Sequence, residues 1–510
     1  MKQLLIVAFS FSAVVLFGQR KEKDTSEYIQ QSGRIEFEIS QFHDDFHLVN
    51  GRENGLLVVN ETQNRVEGGY GWVMHKLNTD LQTDWTKLII RSSSHSLMGW
   101  DYSEGYYYLL FSIDEYRHEK LEVVKIDAED GQIRSVEIST VFPLSLSYFE
   151  VVNNVALLAG ITNYRPAILT FDLDDRTPRV IPGIYDEKME IANISVDREL
   201  EGFTVSMVEQ LFNKQLSVRV NTYTMDNILI QNNLINPGDR KNLIHGASTS
   251  FDNGFQYIAG TYSKKSHLYS QGIYLSKFVN GRQQFIKYYD YGELTNFFEY
   301  LGDKREARLK GRIAEKKQKG KTSRLSYRLM IHDIIPRGDE YILIGEAYYP
   351  RYSSYSSYAP GMSYGGASNV IGYKYTHAII VAFDANGNIT WDHSFPIDDV
   401  FRFFPDEIVS VNALQDRIEL LYLEKNLIRS KAVVGHEVLE GKSYTPIQLS
   451  SPDEQMMVRD PEIEELKKWY GPYLFAFGEQ QIVQKDSPWR ARRKVFYINK
   501  IHYDFDDVPN

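Results

Sequence analysis

The chain contains no cysteine. Disulfides, thiolate metal ligands, a cysteine nucleophile and a cysteine-linked lipid are therefore all excluded. It also lacks a basic excess: 57 Lys and Arg stand against 68 Asp and Glu, a formal net charge of −11. General nucleic-acid binding needs a basic footprint that this balance does not supply. No His-Glu-x-x-His, Gly-x-Ser-x-Gly, P-loop or dinucleotide fingerprint occurs. Apart from one N-terminal stretch, no apolar run approaches the roughly 20 residues that cross a bilayer as a helix. Apolar content of 43% and charged content of 25% are ordinary for a globular chain, which excludes wholesale disorder.

The N-terminal stretch reads Met1-Lys2-Gln3, then mostly apolar residues from Leu4 to Phe17, then Gly18-Gln19-Arg20. A short positive start, an apolar middle and a small residue at its end predict an export signal, cleaved after Gly18. Residues 19–32 are polar and predict a flexible leader. The mature protein is expected to be periplasmic or outer-membrane-associated, with no transmembrane segment.

A repeat runs through the rest of the chain. Its unit is an apolar run, a turn rich in Asn, Asp and Gly, and a second apolar run. Examples are Phe46–Val59, Tyr148–Ile161, Met330–Ala347 and Ile408–Leu423. Such turns supply the positive φ that tight hairpins need. A second hairpin follows, clearest at Val73–Ile90, Val123–Ile138 and Ile379–Ile397. Third strands begin near residues 73, 123, 168, 220, 273, 379, 431 and 495, which makes eight units. Four short strands with apolar faces cannot bury those faces alone, and radial stacking does so. Residues 33–510 therefore predict an all-β propeller of eight blades. Gly33–Ser40 is expected to close the ring beside the C-terminal strands. Seven blades is the alternative count, because Asp460–Tyr470 reads helical where an inner strand belongs. Two or three β-sandwich domains form the competing architecture, since length alone suggests about three domains.

Ala382-Phe383-Asp384-Ala385-Asn386-Gly387, followed by Trp391, resembles the tryptophan-docking repeat of quinoprotein-type propellers and of the propeller lipoprotein of the outer-membrane barrel-assembly machine. Leu77–Trp85 is a looser copy. The segment also resembles the Asp-box of sialidases, with different spacing. The resemblance implies propeller architecture. It does not carry over the quinoprotein adjacent-Cys feature or the lipoprotein anchor, both of which need cysteine. The Phe17-Gly18-Gln19 signal end and the Tyr-rich, Cys-free mature sequence resemble secreted propellers of Bacteroidetes-type bacteria. Among these are accessory subunits of outer-membrane protein translocons.

Two insertions interrupt the sixth unit. Residues 303–328 hold eleven Lys/Arg and three Asp/Glu, while the remainder of the chain is strongly acidic. A short solvated helix and a mobile basic loop both fit this composition. Residues 348–375 hold eight Tyr, six Ser and four Gly, the composition of an adaptable binding loop. In a propeller the two insertions emerge on one face. The candidate partner-binding residues are Arg305, Arg308, Lys310, Arg312, Lys316, Lys317 and Lys319 on the first insertion. On the second they are Tyr348, Tyr349, Tyr352, Tyr355, Tyr358 and Tyr364. The expected partner is an envelope protein complex, an outer-membrane barrel or secretion component. Anionic lipid or lipopolysaccharide also suits the basic arm, and nucleic acid does not.

No catalytic residue, cofactor or metal ligand stands out. His332-Asp333 and His377 flank the insertions but read as structural histidines. Asp127–Gly131 and Asp384–Asn388 read as hairpin turns rather than calcium loops. Asp44, Asp45, Asp174 and Asp175 are carboxylates of the kind glycoside hydrolysis pairs at about 5–10 Å. The expected function is a non-enzymatic interaction scaffold, an accessory subunit of an outer-membrane or secretion assembly. A glycan-binding or glycan-hydrolysing propeller is the alternative, and it requires carboxylates and aromatics converging on the axis.

Overall fold

The computed structural model describes residues 25–39, 45–66, 69–113, 119–238, 240–252, 254–265, 268–321, 325–352, 370–457, 463–485 and 492–505. The export signal and residues 19–24 of the leader lie outside them. Eight antiparallel sheets follow one another along the chain, and these are the blades of a β-propeller. The inner strands, blades 1 to 8 in order, are Asp45–Asn50, Ser96–Ser103, Ser145–Val152, Met189–Asp197, Asn242–Ser248, Arg328–Ile331, Ser410–Ala413 and Glu464–Lys468. Every expected third strand is a strand that pairs with the second strand of its own blade.

The apolar runs are continuous rather than alternating because the middle strands are covered on both sides. In blade 1, Leu57 and Val59 face blade 2, where they pack with Leu109 and Phe111. Leu56 and Val58, one residue out of phase, face blade 8 and pack with Phe475 and Ile498. The period of two sends successive side chains to opposite interfaces. The described residues form eight hydrophobic clusters, one between each successive pair of blades and the last joining blade 8 to blade 1. The ring is closed by packing at every interface.

The chain's two ends share blade 8. The strand Ile29–Glu38 pairs antiparallel with Arg492–Tyr503, setting Ile35 opposite Ile498 and Phe37 opposite Phe496. It starts at Ile29, four residues before the expected Gly33, so the end of the expected leader belongs to the ring. Arg34 locks it, donating to Asn499 at 2.8 Å and Gln480 at 2.8 Å, with its guanidinium over the Tyr497 ring.

Two inner strands depart from expectation. Asp460–Tyr470 reads helical, yet Glu464–Lys468 is a strand paired to Tyr473–Gln484, with Leu466 buried. The open inner slot of blade 8 rewards extended backbone more than helix propensity rewards the alternative. In blade 6 the inner strand is broken into Arg328–Ile331 and Ile335–Arg337, both on Glu340–Tyr352. The break falls at His332, Asp333 and Ile334.

Candidate functional site

The first insertion is rooted in aromatic packing. After blade 5 the chain makes the turns Tyr291–Glu293 and Glu299–Leu301, then enters helix α1, Asp303–Gln318. Tyr291, Phe297 and Phe298 are buried between blades 5 and 6. Asp392 of blade 6 accepts the backbone N–H of Thr295 at 3.0 Å and of Asn296 at 2.6 Å. The Tyr300 ring lies on the ring of His377, which is fully buried. Burial pushes the His377 imidazole down to about 3, so it is neutral at ordinary pH.

Helix α1 has the composition its position needs. Asp303 and Glu306 stand in its first turn and Lys316 and Lys317 in its last, each complementing the helix dipole. Leu309 and Ile313, four apart, rest against the cluster between blades 5 and 6. Lys310 pairs with Glu306 and Lys319 with Glu315. Arg305, Arg308, Arg312, Lys316 and Lys317 are exposed.

The second insertion is not a loop from its first residue. Glu340–Tyr352 and Val370–Phe383 run on past the blade as a two-stranded ribbon, paired out to Tyr352 opposite Val370. Phe401–Arg402 adds a third strand, with Arg402 opposite Tyr373 and Phe401 opposite Lys374. Gly372 permits this crossing: its φ is +152°, and a Cβ there would lie 2.3 Å from the Phe401 ring. Tyr348 is half-buried against the rings of Tyr373 and Tyr375 and serves the ribbon's own packing. Tyr349 and Tyr352 are exposed, as are Val370, Ile371, Phe403 and Phe404, the last at 81%. Tyr355, Tyr358 and Tyr364 lie outside the described residues.

The two insertions meet at their bases. A cavity of about 410 Å³ is lined by Tyr300 and Arg305 from the first, by Lys374 and Tyr375 from the second, and by Asp398, Arg429 and Tyr444. Lys442 and Arg429 sit beside Asp398. Burial would raise the Asp398 carboxyl, but the hydrogen bond and charge of Lys442, with Arg429, hold it below the usual range. Arg305 and Lys374 thus line one opening, flanked by an exposed aromatic and aliphatic ribbon. Lys374, Phe403 and Phe404 were not anticipated from sequence. The exposed Phe-Phe pair at 403–404, outside any repeat strand, was the signal available.

A second constellation lies on the propeller axis. Arg198, just past the inner strand of blade 4, donates to both carboxylate oxygens of Asp101, at 3.2 and 3.1 Å, and to Glu150 at 3.2 Å. It also donates to the backbone oxygen of Val151 at 2.7 Å. One guanidinium therefore joins blades 2, 3 and 4. Tyr148 donates to Glu150 at 2.7 Å, and Asn193 donates to Asp333 at 3.0 Å. His332 contacts the buried Glu346 at 2.8 Å and faces Glu407 at 3.8 Å. Burial raises the carboxyls of Asp101, Glu150, Asp333 and Glu407. For His332 burial acts downward, but the hydrogen bond and charge of Glu346 raise it overall. The carboxylates that the glycan reading requires at the axis are thus present, and all but Asp333 escaped notice in the sequence.

Beside this network, Asp45 lines an axial channel, while Asp44 lies outside the described residues. Asp174 and Asp175 sit in the hairpin turn of blade 3, where the Thr177 N–H donates to Asp175. Asp127 and Asp384 likewise accept backbone N–H groups of their own turns. Among the described residues no group of three His, Asp or Glu is arranged to hold a metal ion.

No family model matches the chain, and no curated protein matches it. Solved structures match in fold at low similarity. The polysaccharide lyase Uly1 is 9% identical with a TM-score of 0.41, covering 94% of this chain and 100% of its own. The dihydro-heme d1 dehydrogenase NirN is 10% identical at 0.41, covering 92% and 79%. The β-propeller domain of the Trilobed protease from Pyrococcus furiosus is 8% identical at 0.36, covering 82% and 100%. The chain spans about half the length of a prolyl endopeptidase that it also matches. Likeness this distant says nothing of this chain's activity.

Proposed function

We propose that this protein is a non-enzymatic interaction scaffold, exported to the envelope, that docks on a larger outer-membrane or secretion assembly. The observation carrying this reading is the shared base of the two insertions. A cationic helix and a ribbon with exposed Tyr349, Tyr352, Val370, Ile371, Phe403 and Phe404 meet around Arg305 and Lys374. Contiguous exposed apolar surface beside charge marks a contact site more often than it marks bare solvent. The root of the helix is fixed by Asp392 and by the Tyr300–His377 stack, so the surface is presented on a rigid frame. The partner it suits is an acidic protein surface with an apolar centre.

The test is tagged purification from detergent-solubilised envelopes at low and high salt, for the natural protein and for the triple variant Arg305→Glu, Arg308→Glu, Arg312→Glu. A stoichiometric partner that elutes as salt rises, and that the variant fails to retain, supports docking through this face. Equal retention by the variant refutes it. These residues are exposed, so the variant's stability should stay within roughly 0.5 kcal/mol of the natural protein.

A further inference from the structure

We propose that the axial channel is a carbohydrate-binding site, lined by a different set of residues from the cavity at the docking face. The channel holds about 750 Å³ between the inner strands of blades 8, 1 and 2, with Asp406 also in its lining. That volume lies within the roughly 300–1,000 Å³ of small-molecule sites and suits a short oligosaccharide. Trp100 forms part of its wall. Trp100 is 40% exposed, whereas Trp72, Trp391 and Trp469 are each buried to below 5%. The imidazole of His47 stands beside it, ring centroids 5.0 Å apart and planes inclined by 50°, so the indole alone offers a flat apolar face. The polar lining is of both signs: Asp45, Asp101, Asp406 and Glu465 are acceptors and Lys467 and Lys468 donors, with Asp101 already held by Arg198 and Lys467 3.3 Å from Glu465.

This combination selects against other ligand classes. A wholly apolar guest would desolvate Asp406, Lys468 and the Glu465–Lys467 pair without offering any of them a hydrogen bond. An anion would meet more carboxylates than ammonium groups along the wall. A neutral polyol offers one apolar ring face to Trp100 and hydroxyls that donate to carboxylates and accept from lysines. It satisfies both kinds of polar group at once.

The test uses the full-length protein. It is screened on a glycan array, and binding is then measured by calorimetry with cellotriose, maltotriose, chitotriose and glucosamine trimer. At least one neutral oligosaccharide should bind, with Kd on the order of 0.1–1 mM or tighter. Trp100→Ala should weaken it at least about tenfold and Trp100→Phe should largely restore it. The triple arginine variant should bind it unchanged, so loss of docking and loss of the sugar site are separately visible. No neutral glycan bound, binding indifferent to Trp100→Ala, or binding confined to the cationic trimer would each overturn the proposal. The last would identify an amine site instead.

Discussion

The phenol ring of Tyr300 lies flat on the imidazole of His377, with centroids 3.8 Å apart and planes 4° from parallel. Tyr300 belongs to the segment that launches helix α1, and His377 to the third strand of blade 6. One stacked pair therefore ties the basic insertion to the ribbon insertion. Phe297 meets the same imidazole edge-on at 86°.

Replacing Tyr300 with Ala should remove that tie. Tyr300 is half-buried, so the cost should be about 2 kcal/mol rather than the full penalty of a core aromatic. Urea denaturation measures the cost. Faster trypsin cleavage within residues 303–321 should accompany it, because α1 is held elsewhere mainly by Leu309 and Ile313.

Arg198→Ala should be more damaging. It leaves Asp101 and Glu150 facing each other in a poorly solvated axis without their shared cation. Breaking a buried ion pair from one side costs about 3–5 kcal/mol, and partial exposure here reduces that to roughly 2–3. Adding Asp101→Asn to the variant should recover part of the loss, as read in thermal or urea unfolding. If Arg198→Ala is neutral, the axial network contributes nothing to ring stability.

Glu464 gives a pH signature. Burial, with the nearby charge of Glu424, raises its carboxyl to about 7, against the N–H groups of Asn426 and Lys425 that act to lower it. The folded state thus holds a proton that the unfolded state releases near 4.5. Its contribution is fully present below about pH 4.5 and is lost as pH rises through 7. Glu464→Gln removes that loss. The variant's stability relative to the natural protein should rise by about 1–3 kcal/mol between pH 4.5 and 8. A pH-independent difference would count against the buried-proton account.

Gly372→Ala should loosen the ribbon. An added Cβ would lie 2.3 Å from the Phe401 ring and 2.7 Å from the Arg402 oxygen, so Phe401–Arg402 must move off the ribbon edge. The expected cost is about 1–3 kcal/mol. Hydrogen exchange should accelerate at residues 370–374 and 401–404 and stay unchanged in blades 1 to 5. Partner retention should fall with it.

The strands and turns were legible because they are local. Asn153-Asn154 both adopt positive φ, +47° and +61°, as the hairpin between Ser145–Val152 and Val155–Thr162 requires. Trp391 and the Asp384 turn mark a hairpin in sequence and form one in the molecule. Glu464–Lys468 favours helix in isolation, and only the vacant inner position of blade 8 makes it extended. Tyr, Ser and Gly dominate residues 348–375 and predict a loop, while pairing between the two arms of the ribbon is a relation across the insertion.

Sequence by itself determined the eight-unit repeat, the closing strand at the N-terminus, and the segregation of positive charge into residues 303–328. Each follows from periodicity or composition over a few tens of residues. Tertiary structure alone decided the axis. Asp101, Glu150, Arg198, Asp333 and Glu407 sit on different repeats and share no local pattern. Ring closure turns every inner strand toward one line, where Asp101 and Glu150 share the Arg198 guanidinium while Asp333 and Glu407 stand beside His332. Likewise, Arg305 and Lys374 line one opening because the connection into a blade and the turn between its second and third strands leave the ring on the same face.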